Sequence, residues 1–375
     1  MSASREIEII DRILAKWDVV SFDKKAIVAL DGYIDKIQHP VQSQNETGSI
    51  YYPTLKSFAE RVDAASGVSA QVELFTQQIK PGGNAPIMAN ALACLGIKNT
   101  CIGTLGYPDV DPIFKEIHPD CEMITVGKAA ETNALEFEDG KLILSELSTF
   151  TDLNWQKVKD SIDLQDIIKK AGKAQLIALV DWCNLPHATD IWRGFLDDVI
   201  RPHNLSKPHF FFDLTDPTKK SDLEIEEILH LIDSFNEFGT VTLGLNENEA
   251  TKLQKALCRF AGLAADENEL TGIGQFIFNH LSIDFLVIHP IDSSYSFTSG
   301  KSFKLEGRVI KNPKVSTGGG DNFNAGLYLG LLNKFSIEES MILAMATSGA
   351  YVLHGFSPNI DDLKSYLHLW KSELD

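Results

Sequence analysis

At 375 residues the chain has room for two domains of ordinary size, or for one large α/β domain carrying an insertion. Hydrophobic residues at 44% and charged residues at 23% are close to the globular average, which excludes a disordered, collagenous or coiled-coil chain. A formal net charge of −18 repels phosphate backbones and anionic lipid, so nucleic acid and membrane surfaces are excluded as main partners, while a locally positive pocket can still take a small anion.

The first 18 residues mix acids among apolar positions, lack the pattern of a secretory signal, and are expected to form an amphipathic helix. No stretch approaches the roughly 20 apolar residues that cross a bilayer, so a soluble protein is expected. Apolar runs at 26–30, 176–180, 209–213, 240–245 and 285–289 read as strands, and they alternate with helical patterns such as 225–235 and 249–263. Continuously apolar strands point to a parallel sheet covered on both faces. Two regions break the rhythm: 70–79 mixes polar and apolar positions, and 132–144 carries the hairpin signal Asp139-Gly140 between two strand-like runs. With 33–52 they are expected to form a small, partly exposed sheet, read equally as a lid or as an edge or dimer contact. The cysteines Cys94, Cys101, Cys121, Cys183 and Cys258 form no CxxC pair, which favours reduced thiols in a cytoplasmic protein over a zinc site or a disulfide framework.

Four segments carry the chemistry. Just past the first strand, Asp31 and Asp35 stand where open α/β sheets bind ligands and are candidates to hydrogen-bond substrate hydroxyls; a turn at Asp31-Gly32 explains Asp31 equally simply. Gly82, Gly83 and Asn84 form a turn before a helix whose buried stripe is Ile87, Met88, Ala91, Leu92 and Leu95, and this turn can lie against a polar substrate or serve only as a cap. Asn246 and Glu249, three apart at the end of a strand, make a capping box, and the same geometry can hold a Mg²⁺-bound water near phosphates. The sharpest segment runs Val315-Ser316-Thr317-Gly318-Gly319-Gly320-Asp321, followed by apolar positions that start a helix at about Asp321. Three glycines before a helix N-terminus let bare backbone amides and the helix dipole meet negative charge. A carboxylate beside such an anion hole suits proton removal from a hydroxyl, so the combination points to phosphoryl transfer to an alcohol; a tight turn with Asp321 as a plain cap is the alternative.

In this order the four segments resemble the PfkB (ribokinase-like) family of carbohydrate and nucleoside kinases over nearly the whole chain. The resemblance implies a ribokinase-like, Rossmann-type three-layer α/β sandwich over 1–375, with lid strands inserted at about 33–52, 70–80 and 131–146. It implies ATP as phosphoryl donor, Mg²⁺ as metal, and a hydroxyl of a sugar or nucleoside as acceptor. Asp321 matches the catalytic base and Gly318, Gly319 and Gly320 the anion hole. Asp35 with Gly82 and Gly83 matches the substrate side, and Thr317, Asn246 and Glu249 match positions that manage nucleotide, phosphate and Mg²⁺. Residues 344–354 correspond to the helix and turn flanking adenine. Lids of this kind often pair, so a homodimer through the lid is one expectation. Departures are Ser316 in place of an acid, which removes a feature of the monovalent-cation site some members have; Ile87 in place of Asn; and His289-Pro-Ile-Asp292 in place of Thr-x-Gly, which sets a carboxylate near the expected phosphates. The usual Arg after the middle strand is absent from Asp213-Leu-Thr-Asp-Pro217. These departures carry the alternative of a PfkB-fold protein that binds a sugar or nucleotide without transfer. An NAD-dependent oxidoreductase is disfavoured, because no G-x-G-x-x-G follows the first strand.

Overall fold

The computed structural model describes residues 3–374 apart from Thr47, Asn204, Ala264, 266–268, Val309, 311–312 and Ser316. The departure noted at Ser316 therefore lies outside the described residues. The first half of the chain runs α1 (Ala3–Ala15), β1 (Lys25–Leu30), β2 (Tyr33–Asn45), β3 (Gly48–Tyr51), α2 (Leu55–Asp63), β4 (Leu74–Gly82), α3 (Asn84–Cys94), β5 (Lys98–Gly103), β6 (Cys121–Thr125), β7 (Ala130–Phe137) and β8 (Gly140–Glu146). The second half runs α4 (Trp155–Ser161), α5 (Leu164–Ala171), β9 (Leu176–Leu179), α6 (Ala188–Phe195), β10 (His209–Asp213), α7 (Asp222–Ser234), β11 (Thr240–Leu245), α8 (Glu247–Ala261), α9 (Leu270–His280), β12 (Phe285–Ile288), β13 (Ser293–Thr298), β14 (Lys301–Glu306), α10 (Gly319–Leu332), α11 (Ile337–His354) and α12 (Ile360–Leu374).

Nine strands make the main sheet in the order β14-β13-β12-β11-β10-β9-β1-β5-β6. Neighbours from β12 to β6 are parallel, and β13 and β14 close one edge antiparallel. The two-residue alternation of each strand sends Ile27, Ala29, Ile177, Phe210 and Phe212 into one core layer, with side chains of α4 to α9. Ala26, Val28, Leu176, Ala178 and Phe211 enter the other, with α1, α3, α10, α11 and α12. Both faces are therefore dry, which is why these strands read as unbroken apolar runs. Each Ile, Val, Leu or Phe side chain among them contributes roughly 1.5–3 kcal/mol by leaving water.

A second sheet, β3-β2-β7-β8 with β4 also on β2, stands apart from the first. The hairpin of β7 and β8 turns at Asp139-Gly140, with Phe137 opposite Gly140. The strand expected at 70–79 lies instead at Leu74–Gly82, because Lys80, Pro81 and Gly82 continue the pairing opposite Asp35, Ile34 and Tyr33. The helix expected from about Asp321 starts two residues earlier. Gly318 takes a left-handed φ of 89° as its cap, and Gly319 and Gly320 are already helical.

Candidate active site

The parallel strands point their carboxyl ends at one edge of the main sheet, and the small sheet lies over it. Between them is a cleft of about 310 Å³ lined by residues from nine separate segments, among them Asp35, Gly83, Asn84, Asn184, Asp213, Asn246, Glu249, His289, Thr317, Gly318, Gly320 and Asp321. Asp213 ends β10, Asn246 follows β11 and His289 follows β12. A strand edge thus gathers residues far apart in sequence, as open α/β sheets do.

Asp321 sits in the first turn of α10, 8% exposed and lining the cleft. Burial pushes its carboxyl well above the usual aspartate range, and the charges of Asp213 and Asp31 push the same way, offset in part by the Asn84 amide. The first intrahelical bond of α10 runs from the Asn322 amide to the Gly318 carbonyl at 3.1 Å, so the amides of Gly319, Gly320 and Asp321 precede the ladder. A Cβ at Gly318 would fall 2.9 Å from the Tyr351 hydroxyl and would have to tolerate the positive φ, so this position needs glycine. Gly319 is not among the lining residues; it packs toward Ser348 and Val352 of α11. Residues 344–354 thus lie behind the glycine loop, where Tyr351 donates to the Thr317 carbonyl at 2.8 Å.

The wall of the cleft expected to take the acceptor is formed by β2, which β4 supports from beside it. Asp35, 8% exposed, pairs in register with Lys80 on one side and Thr132 on the other. Burial raises its carboxyl above the usual range; Lys80, the Thr132 side chain and Lys141 counter this in part. A Cβ at Gly82 would fall 2.3 Å from Asp35 Oδ2, so this glycine makes room for the acid without itself reaching the cleft. Asp31 corrects the reading of it as a substrate ligand. It is fully buried, does not line the cleft, and accepts from the Asn84 and Ala85 amides at 2.6 and 2.7 Å, which fastens the N-terminus of α3. Asn84 is thereby freed from capping, and its side chain is on the cleft.

Asn246 and Glu249 form the capping box that their spacing predicts, with Asn246 Oδ1 accepting from the Glu249 amide at 2.9 Å and Glu249 Oε2 from the Asn246 amide at 2.8 Å, and both also reach the cleft. Burial, with the Asp213 charge behind it, pushes Glu249 up to about 8. Asp213 is pushed up to about 6 by burial, and it accepts from the Thr215 amide at 3.0 Å. Below the cleft, Asp181 accepts from the Tyr33 hydroxyl at 2.8 Å, from Asn184 Nδ2 at 2.6 Å and from Thr215 Oγ1 at 3.1 Å, which ties together β2 and the loops after β9 and β10.

His289 replaces the expectation of a carboxylate near the phosphates. Asp292 is exposed and off the cleft, whereas the His289 ring lines it, stacked on Phe323 at 4.9 Å and held neutral by burial, which pushes it down to about 4. Sequence reasoning missed Asp213 and Asn184 as site residues. Their only signal was position, at or just past a strand's carboxyl end.

The oxygen-rich set of Asn246, Glu249 and Asp213 fits a hard cation such as Mg²⁺. Among the described residues no three His, Cys, Asp or Glu side chains converge as a metal cage, so the donor set suits an ion that keeps water and phosphate oxygens. The glycine loop, free of side chains and at a helix N-terminus, fits a phosphate tail.

Fold and cleft together define a ribokinase-like carbohydrate kinase. A model of the prokaryotic ketohexokinase family matches residues 19–370, and the chain belongs to that family. It is 25% identical over 347 residues to a ketohexokinase of Haloferax volcanii, covering 91% of this chain and 90% of that one. Among solved structures it shares the fold of an Arabidopsis thaliana ribokinase complexed with ribose and ATP (15% identity, TM-score 0.62, covering 92% of this chain and 98% of that one). The same holds for an adenosine kinase from Sinorhizobium meliloti (14% identity, TM-score 0.63, covering 92% and 98%). The three-layer architecture with a separate small sheet is thus that of the resemblance read from the motifs.

Proposed function

We propose that the protein transfers the γ-phosphoryl group of ATP to a hydroxyl of a ketohexose, with Asp321 as the base. The observation that carries this reading is the shared cleft of a buried carboxyl, Asp321, and the open amides at the start of α10. The acceptor hydroxyl loses its proton to Asp321, whose raised proton affinity suits the task. The amides of Gly320 and Asp321 face the charge that develops on the transferred group, with Gly319 behind them against α11. Asp35 and Asn84 orient the sugar hydroxyls, and Thr317 and Gly318 meet the nucleotide side. Asn246 and Glu249 would hold Mg²⁺ through its water, and the ion when bound would neutralise phosphate charge. The family name of the matching model and the ketohexokinase relative support a ketohexose; the ribose and ATP named with the plant ribokinase support a sugar acceptor and ATP.

The small sheet serves as the lid that excludes water from the cleft. Its exposed Ile50, Phe75, Leu142 and Leu144 support pairing of two lids in a homodimer. The five cysteines, all free thiols, and the lack of any described helix long and apolar enough to cross a membrane support a cytoplasmic protein.

Asp321→Asn tests the central assignment. Turnover with ATP and a panel of ketohexoses is expected to fall about 10³-fold, with binding of a non-hydrolysable ATP analogue within about threefold of wild type. Equal turnover in the variant removes Asp321 as base.

A further inference from the structure

The cleft carries four carboxyl groups, on Asp35, Asp213, Glu249 and Asp321, and among the described residues no lysine or arginine lines it. A polyphosphate cannot settle among acids without cations to meet it. Two ammonium groups stand at the rim, each resting on a neutral oxygen of a lining residue. Lys141 Nζ donates to Thr317 Oγ1, and Lys219 Nζ to Asn184 Oδ1 at 3.0 Å. Neither forms an ion pair among the described residues, whereas nearby Lys252 and Lys220 have carboxylate partners in Asp216 and Glu224. Lys141 lies on β8 two and four residues before Ile143 and Ser145, which line the cleft, so strand alternation sets all three on one face. Thr317, in turn, immediately precedes the glycine loop. Lys219 ends the short turn of helix Pro217–Lys219 beyond β10.

We propose that Lys141 and Lys219 are the phosphate-meeting cations of this cleft, exchanging Thr317 and Asn184 for phosphoryl oxygens when a nucleoside triphosphate enters. This rests on the kinase reading above and assigns the charges that reading leaves out. An ammonium on a hydroxyl or an amide gains by moving to a phosphate, because the acceptor there carries full opposite charge and adds Coulomb attraction to the hydrogen bond. Lysine's flexible stem allows the move without shifting its backbone. The two differ in origin. Lys219 stands on the exposed turn that follows β10 of the main sheet and meets the nucleotide side; Lys141 belongs to the small sheet, so its charge reaches the glycine loop only while that sheet covers the cleft. Half-burial holds the Lys141 ammonium below the usual lysine range, with Lys80 acting the same way and the charges of Glu136 and Asp35 opposing it.

The test uses the full chain as Lys141→Met, Lys141→Arg and Lys219→Met, with two readouts: calorimetric binding of a non-hydrolysable ATP analogue at several salt concentrations, and kcat and KM for the sugar. Lys219→Met is expected to weaken analogue binding about tenfold and to flatten its salt dependence at unchanged Tm. Lys141→Met is expected to lower kcat about 100-fold with analogue binding within about threefold, and Lys141→Arg to recover most of it. Wild-type kcat in Lys141→Met, or wild-type analogue binding in Lys219→Met, overturns the assignment. A kcat loss that follows a lower Tm and that arginine does not recover makes Lys141 a mere latch and also overturns it. Failure of the kinase reading itself shows differently: the wild-type protein then transfers no phosphate to any ketohexose, while the Lys219 binding arm still decides whether that lysine meets phosphate.

Discussion

Glu249 keeps a proton that an exposed carboxyl would have lost, and this makes one residue of the cleft a destabilising element. Its folded value of about 8 lies above the 4.5 of an unperturbed glutamate. Below pH 4.5 both folded and unfolded forms hold the proton and nothing is lost; from there to about 8 the unfolded chain ionises first, so stability falls as pH rises. Glu249→Gln abolishes this linkage while keeping a side chain able to complete the capping box. Without divalent cation, the Tm of the variant relative to wild type is expected to gain about 2–4 °C on going from acid to mildly alkaline pH. A difference that stays constant with pH would refute the raised value. This residue was legible in the sequence because both readings of Asn246 and Glu249 depend on a spacing of three. Asp213, Asn184 and Lys141 were not, because each owes its place to strands that meet only in the folded chain; Lys141 and Thr317 are 176 positions apart.

At the scale of elements, the small sheet shows what local pattern can and cannot specify. The hairpin of β7 and β8 was visible in Asp139-Gly140, a dipeptide whose backbone preferences select the turn. The extent of β4 was not, since Pro81 and Gly82 look like a loop and become strand only through their partners on β2. The same sheet exposes Phe75 at 47% and Leu144 at 50%, apolar side chains on which the proposed pairing of two lids would rest. Phe75→Glu is expected to weaken self-association about tenfold or more in sedimentation, with the far-UV spectrum unchanged. A wild-type protein that sediments as a monomer at micromolar concentration would remove the lid as a pairing surface. For the main sheet, unbroken apolar strands gave the architecture because both faces are covered. Helix starts shifted by two residues at α8 and α10, where capping geometry decides and apolar periodicity does not.

At the scale of the whole molecule, a surface with net charge −18 and a cleft crowded with carboxyls share one electrostatic consequence. Glu249, Asp213 and Asp321 all sit above their ordinary values, so a divalent cation with its nucleotide should drive protons out. At neutral pH the heat of binding of a Mg²⁺-nucleotide analogue is expected to depend on the buffer's ionisation enthalpy, with about one proton released. A buffer-independent heat would contradict the crowding.

The root of β2 has a mechanical consequence. Asp31 is clamped to α3, and the Gly32 carbonyl accepts from the Ala130 amide at 3.0 Å and from Thr104 Oγ1 at 3.2 Å, so the chain is pinned where it leaves the core. From that fulcrum β2 extends 13 residues, or roughly 40 Å at about 3.3 Å per residue. A swing of about 10° carries its far end some 7 Å but moves Asp35, close to the pivot, by less than about 2 Å. If Asp35 takes the sugar as proposed, that grip would be stationed at the still end of a lever, and the sweeping end would open and shut without letting go.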